Sequence, residues 1–362
     1  MRDEQGGWSP AVAARIEGGL ARLIARLPAG VVARMSGEPP VEVDGGRLDP
    51  HVQLARAVRR RRGGPGLCEP TVEAGRERYR RETRVFGGVP TVVGAVRDFS
   101  IPGSDGAGML RVRHYAPPSG AAPREGGALL VYLHGGGFVL GDLDTHDEPC
   151  RMLCRHAETH VLSVAYRLAP EHPFPAAVED AVAALGWARE NAASLGAVAS
   201  RVGVGGDSAG ANLATVAARY VRATAQLLIY PATDPDTPRP SRERFGAGYF
   251  LDRRDHDDFL HHYAGSAAGR TVDDRRAPMA YRELGALPPA LVVTAGFDML
   301  RDEGEAYAER LGKAGVPVET IRFASLVHGF IHMTAISPGA RGAMIELARR
   351  WRAFTGREGG AS

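Results

Sequence analysis

Cysteine is scarce in this chain: 362 residues hold three, Cys68, Cys150 and Cys154. An odd and sparse set builds no disulfide framework, so the fold has to hold without staples, and the usage fits a reducing, cytoplasmic setting. Long apolar runs are missing too. Nowhere do the roughly 18 uncharged apolar residues of a membrane span follow one another, and no span is expected. Residues 1–30 are broken by charges every few positions, with no apolar stretch leading to a small-residue cleavage site, so no signal peptide is expected. Charge of one sign is also lacking. Lys plus Arg number 45 and Asp plus Glu 42, a net +3, too balanced to argue for a nucleic-acid partner although the pI is about 8.9. The one basic cluster, "RAVRRRRGG" at 56–64, reads as a solvated face or a flexible segment. No G-x-x-x-x-G-K-[ST] occurs, which removes a P-loop.

What is present is ordinary globular material: 44% hydrophobic and 24% charged residues, enough to bury a core and to set disorder aside. Val12, Ile16, Leu20, Leu23, Ile24 and Leu27 fall at three- and four-residue steps, the spacing of an amphipathic helix over 11–27. From Gly87 the texture becomes strand-like. "TVVGAVRDFSI" and "MLRVRHYAP" flank the turn "PGSDGAG" and read as an antiparallel meander. Then apolar runs alternate with helices: "ALLVYLH" before 145–156, "HVLSVAY" before 176–191, "RVGVGG" before 209–223, and "QLLIYP". That alternation predicts a mostly parallel sheet with helices on both faces. Residues 232–276, rich in Asp, Arg, Pro and aromatics, break the rhythm and read as an insertion over the sheet. "ALVVTAGFD" resumes it, followed by the helix "DEGEAYAERLGKAG", the short strand "VETIRF" and a last helix from about Pro338 to Phe354. The expected organisation is an N-terminal helical cap segment (1–88), a catalytic domain in two parts (89–231 and 277–362) and a cap insertion (232–276).

The chemistry gathers at strand ends. Gly206-Asp207-Ser208-Ala209-Gly210 is a G-x-S-x-G between the strand "RVGVG" and the helix "ANLATVAARYV", the context of a nucleophile elbow. Taken alone the pentapeptide does not separate a nucleophile from a phosphate-binding or merely tight turn. Against a dinucleotide fingerprint, the third glycine of G-x-G-x-x-G is here Ser208. His134-Gly135-Gly136-Gly137 follows an earlier strand, where backbone N–H groups uncovered by side chains suit an oxyanion hole. A serine hydroxyl needs a base, and the base an acid. Asp298, just past "VVTAGF", and His328, in "FASLVHGF", supply them in the order Ser, Asp, His. Asp302 and Glu303 are rivals for the acid but fall in the first turn of the following helix. His261, His262 and His332 are expected at the surface.

With these residues in place the chain resembles the hormone-sensitive-lipase-like family of bacterial carboxylesterases. The likeness rests on "HGGGF" at 134–138, "YRLAPEHPFPAAVEDA" at 166–181, "GGDSAGANLA" at 205–214, "LPPALVVTAGFDMLRDEGEAYAERL" at 287–311 and "VHGF" at 327–330. It implies an α/β-hydrolase fold, with Ser208 as nucleophile, Asp298 as acid and His328 as base. The amides of Gly136, Gly137 and Ala209 are implied as the oxyanion hole. The resemblance further implies a small-molecule ester of short to medium acyl chain as substrate, no cofactor, and a homodimer through the late strand and final helix. Two departures stand out: Asp298-Met299-Leu300 replaces the family's Asp-Pro-Leu, and residues 1–88 are longer and more Arg-rich than its cap. Glu171 and His172 read as structural, and Asp207 as a brace for the elbow. His146, Cys150 and Cys154, at four-residue steps, could suggest a metal, but that helix face makes equally good core and no metal is expected. The contrasting hypothesis is a non-catalytic small-molecule-binding protein on the same fold.

Overall fold

The structure, a computed structural model, describes residues 10–104, 106, 108–118, 126–265 and 273–356. Helices α1 (Pro10–Ile24) and α2 (Ala29–Ser36) precede a two-stranded ribbon, β1 (Glu42–Val43) with β2 (Gly46–Arg47). Then come α3 (Pro50–Arg62) and α4 (Val72–Gly87). Local chemistry starts both: the Asp49 carboxylate accepts from the N–H groups of His51 and Val52 with Pro50 at the first helical position, and Thr71 Oγ1 accepts from Ala74 N–H. The basic run closes α3, where cations suit the carboxyl end of a helix. Most of the run faces solvent, as a solvated face would, and several of its arginines also have partners. Arg59 pairs with Glu82 at 3.1 Å, Arg60 with Glu38 at 2.7 Å, and Arg61 donates to the Ser36 carbonyl.

The eight-stranded sheet comprises β3 (Ala95–Pro102), β4 (Met109–Ala116), β5 (Gly127–Leu133), β6 (His160–Ala165), β7 (Ala197–Asp207), β8 (Gln226–Ile229), β9 (Ala290–Phe297) and β10 (Val318–Val327). Its order is β10-β9-β8-β7-β5-β6-β4-β3. β3 and β4 are antiparallel, as the meander predicts, and every neighbouring pair from β6 to β10 is parallel. β8 and β9 are buried at every residue, which is why they read as unbroken apolar runs rather than alternating ones. β10, at the sheet edge, alternates and runs four residues past the segment "VETIRF".

Helices α5 (Asp147–Ala157), α6 (Ala176–Glu190), α7 (Ala209–Tyr220), α10 (Arg301–Lys313) and α11 (Pro338–Gly356) cover the sheet, while α8 (Pro240–Arg244) and α9 (Arg253–Ala264) lie in the insertion. The β5-to-β6 crossover runs one way along the sheet, and β6-to-β7, β7-to-β8 and β9-to-β10 run the other. Right-handed crossovers therefore put α5 on one face and α6, α7 and α10 on the opposite one. α11 packs on α5, and its buried Trp351 fills the space left by Gly203 on β7. The consequence for function is geometric: β5, β7, β9 and β10 all end at the same edge, so the segments that follow them converge.

Close approach of α7 to β5 demands a glycine at the first turn of α7. An ideal Cβ on Gly210 would lie 1.9 Å from Leu133 O and 2.6 Å from His134 O, both backbone atoms. Gly210→Ala is expected to lower stability by about 1–3 kcal/mol through overpacking, measurable as a drop in Tm.

Candidate active site

β7 ends at Asp207 and α7 opens at Ala209, so Ser208 alone makes the turn. Its φ of 54° and ψ of −120° lie where side-chain-bearing residues are rarely found. The Ser208 N–H donates to Ile229 O at 2.9 Å, and small neighbours let the hydroxyl stand clear of the strand. Ser208 Oγ lies 3.0 Å from His328 Nε2, and His328 Nδ1 lies 2.9 Å from Asp298 Oδ2. Asp298 is fully buried at the end of β9, and its other oxygen accepts from Leu300 N–H at 2.8 Å. The turn after Asp298 thus closes on its own carboxylate without a proline.

Facing Ser208 is the loop that leaves β5. Gly136 and Gly137 take φ values of 111° and 63°, open to glycine and costly for other residues. Among the described residues no protein acceptor takes the N–H of either. The N–H of Ala209 belongs to the first turn of α7, where helical partners are absent. Three donors therefore border Ser208. Above it lies a cavity with mostly apolar walls: Tyr79 and Phe86 from α4, Phe250 and Leu251 from the insertion, Phe259 and Leu260 from α9, and Met333 beyond His328. The Arg59–Glu82 pair also lines it.

Helix α4 is bound to the same loop by its arginines. Arg76 donates to Val139 O at 2.9 Å, to Ala169 O at 3.0 Å and to both oxygens of Glu171, while Arg80 Nε donates to Asp142 at 2.6 Å. Glu171 is accordingly held in a structural contact. The rival acids are also committed elsewhere: Asp302 accepts from Ser241 N–H, and Glu303 accepts from Thr233 and Asp234 N–H and pairs with Arg242 at 2.6 Å. Both brace the start of the insertion.

One expectation is overturned. His332 is buried, because the short helical turn that carries it packs under α4, where Tyr79 Oη lies 3.0 Å from its Nε2. His146, Cys150 and Cys154 do not converge either. Both thiols are buried in the core and raised by burial, whereas His146 turns toward Asp207, 3.2 Å away. His146, Asp207 and His332 instead bring ligand-type atoms within 4.8 Å of one another. The Gly135 N–H points into this group, 2.9 Å from Asp207 Oδ1 and 3.3 Å from His146 Nε2. A donor hydrogen there opposes a cation, so the group is suited to hydrogen bonding.

The family described as the alpha/beta hydrolase fold matches residues 130–332. Carboxylic ester hydrolase LipN of Mycobacterium tuberculosis is 43% identical over 335 residues, 89% of this chain and 87% of that protein. Ethyl acetate hydrolase of Pseudomonas putida is 38% identical over 298 residues, 80% and 92% of the two chains. Among solved structures, ester-hydrolase EH1AB1 from the metagenome of Lake Arreo, in complex with a bipyridine phosphonate derivative, superposes with a TM-score of 0.79. It is 37% identical, over 85% of this chain and 99% of that one.

The buried histidines make the fold sensitive to acid. Burial, reinforced by the neighbouring His146, pushes His332 from 6.5 down to about 3 and His134 to about 4. The unfolded chain takes these protons near 6.5 and the folded chain does not, so stability is full above that pH and falls as pH drops toward 4. Denaturant titrations between pH 7 and 5 are expected to show this slope, with His332→Gln shallower by up to about one proton.

Proposed function

Because this chain belongs to the hormone-sensitive-lipase-like carboxylesterases of the α/β-hydrolase fold, we propose that it hydrolyses esters of short to medium acyl chain with Ser208 as nucleophile, His328 as base and Asp298 as acid. The observation that carries this assignment is the continuous contact from Ser208 Oγ through His328 to buried Asp298, at 3.0 and 2.9 Å.

His328 Nε2 accepts the Ser208 proton as Oγ attacks the ester carbonyl, and Asp298 holds Nδ1–H and stabilises the imidazolium. The N–H groups of Gly136, Gly137 and Ala209 receive the oxyanion. These dipoles are fixed before the reaction begins, so none has to reorient as charge develops. His328 then returns the proton to the leaving alcohol. Water, activated by the same imidazole, attacks the acyl-enzyme and releases the acid. No step requires a metal or cofactor.

The N-terminal segment 1–88 and the insertion 232–276 act as the cap, since α4, α9 and Phe250 supply the cavity walls above Ser208. Apolar walls suit an acyl chain, and their enclosure sets its length. The three cysteines are unpaired and buried, in keeping with a cytoplasmic enzyme, and the place of β10 at the end of the sheet, beside α11, suits a homodimer. No described helix is long and apolar enough to cross a membrane.

Ser208→Ala is expected to lower kcat for p-nitrophenyl butyrate by more than about 10⁴-fold. Turnover near the wild-type rate would remove the nucleophile assignment. A screen across acyl lengths is expected to show kcat/KM falling beyond medium chains.

A further inference from the structure

Asp207 stands beside the nucleophile, yet the reaction gives it no task. Its side chain is buried and points across the sheet toward the end of β5. Oδ1 accepts from Gly135 N–H at 2.9 Å and from the Tyr132 hydroxyl at 2.8 Å, and lies 3.2 Å from His146 Nε2. Oδ2 accepts from Tyr230 at 3.4 Å. Burial by itself would raise this carboxyl, but the charge and hydrogen bond of His146, with the Tyr132 hydroxyl, hold it well below the usual carboxylate range.

Two backbones meet at this carboxylate. Asp207 is fixed because it is the last residue of β7, in register with Ile229 on β8. Gly135, by contrast, starts a run of three glycines, which sample more backbone conformations than any other residue type. Gly135 is pressed directly onto Asp207: an ideal Cβ there would lie 2.4 Å from Oδ2 and 2.9 Å from the Asp207 carbonyl oxygen. The anchor is also backed from behind. The ring of His332 meets that of His146 edge-on at 4.6 Å, and His332 in turn contacts Tyr79.

We propose that Asp207 is a positioning residue for the oxyanion hole: by holding Gly135 N–H, it keeps the N–H groups of Gly136 and Gly137 in register with Ser208 Oγ. This rests on the reading of those two N–H groups as oxyanion donors. The requirement is strict, because a donor displaced by about 0.5 Å loses much of its preorganised stabilisation. A single carboxylate then links the two strand ends that must act on one carbonyl group: its backbone leads into the nucleophile, and its side chain anchors the donors.

The test compares Asp207→Asn, Asp207→Ala and Ser208→Ala with wild type, using kcat and KM for p-nitrophenyl butyrate, the rate of labelling by a fluorophosphonate, and Tm. The amide oxygen of Asn can accept from Gly135 and Tyr132; Ala leaves both unpaired. Asp207→Ala is expected to lower kcat and the labelling rate by about 100-fold with KM changed less than about threefold, and Asp207→Asn to return kcat to within about tenfold of wild type. Wild-type kcat in Asp207→Ala overturns the proposal, and so does an equal loss in both variants, which would make charge rather than acceptance the cause. If Asp207→Ala does not fold, Asp207→Ser, whose oxygen is too short to reach Gly135, takes its place under the same criteria. Ser208→Ala in the same assay keeps the failures apart: activity there removes the nucleophile assignment, whatever Asp207 does.

Discussion

Ser208 occupies a backbone conformation that costs of the order of 1–3 kcal/mol and persists only where its surroundings leave no alternative. The rest of the molecule supplies that constraint. β7 is clamped between β5 and β8, Ser208 N–H is bound to the end of β8, and α7 lies so close to β5 that Gly210 has no room for a methyl group. Once the turn is forced, the hydroxyl stands at the sheet edge where β5, β9 and β10 also end. The remaining groups need only short loops to reach it.

These loops are stabilised in different ways, in keeping with what each carries. Asp298 is fully buried and bonded to the next backbone N–H but one, so its orientation is set within a few residues. His328 depends on longer contacts, with Asp298 on one side and the Tyr230 ring at 4.5 Å on another. The glycine loop has least structure of its own and borrows the most: from Asp207 beneath, from Arg76 and Arg80 of α4 above, and from Phe259, whose ring sits against Gly137. Its order is therefore a tertiary property.

The legible part of the sequence was that written in local chemistry. Unbroken apolar strands, the glycines at 135–137, the small residues around Ser208, and the positions of Asp298 and His328 just past strands all follow from rules acting over a few residues, and the structure brings these groups together. The illegible part depended on partners far away in the chain. His332 reads as a surface residue until Tyr79, 253 positions earlier, covers it. The arginines at 59–61 read as a solvated face and stay largely exposed, but their partners Glu82, Glu38 and the Ser36 carbonyl belong to other elements and could not be read locally. Tyr79 itself sits in an arginine-rich helix, and nothing in "RERYRRE" says that its ring faces a cavity. His146 was visible as the start of a regular spacing with two cysteines, but that periodicity pointed along the helix, whereas its contact lies across the sheet.

The arginine contacts of α4 divide the cavity walls into two kinds. Tyr79 lies between Arg76 and Arg80, on a helix tied to Val139, Ala169, Glu171 and Asp142, so moving that wall also moves the glycine loop. Phe250, Leu251 and Leu260 border the same cavity with side chains that form no hydrogen bonds, Phe250 lying under the Arg59 guanidinium at 5.6 Å from its ring centroid. One wall is therefore held by directional polar contacts from arginines, and the other by aromatic and apolar packing, in which Phe259 meets Gly137 and Tyr263 stacks on Phe138 at 3.8 Å.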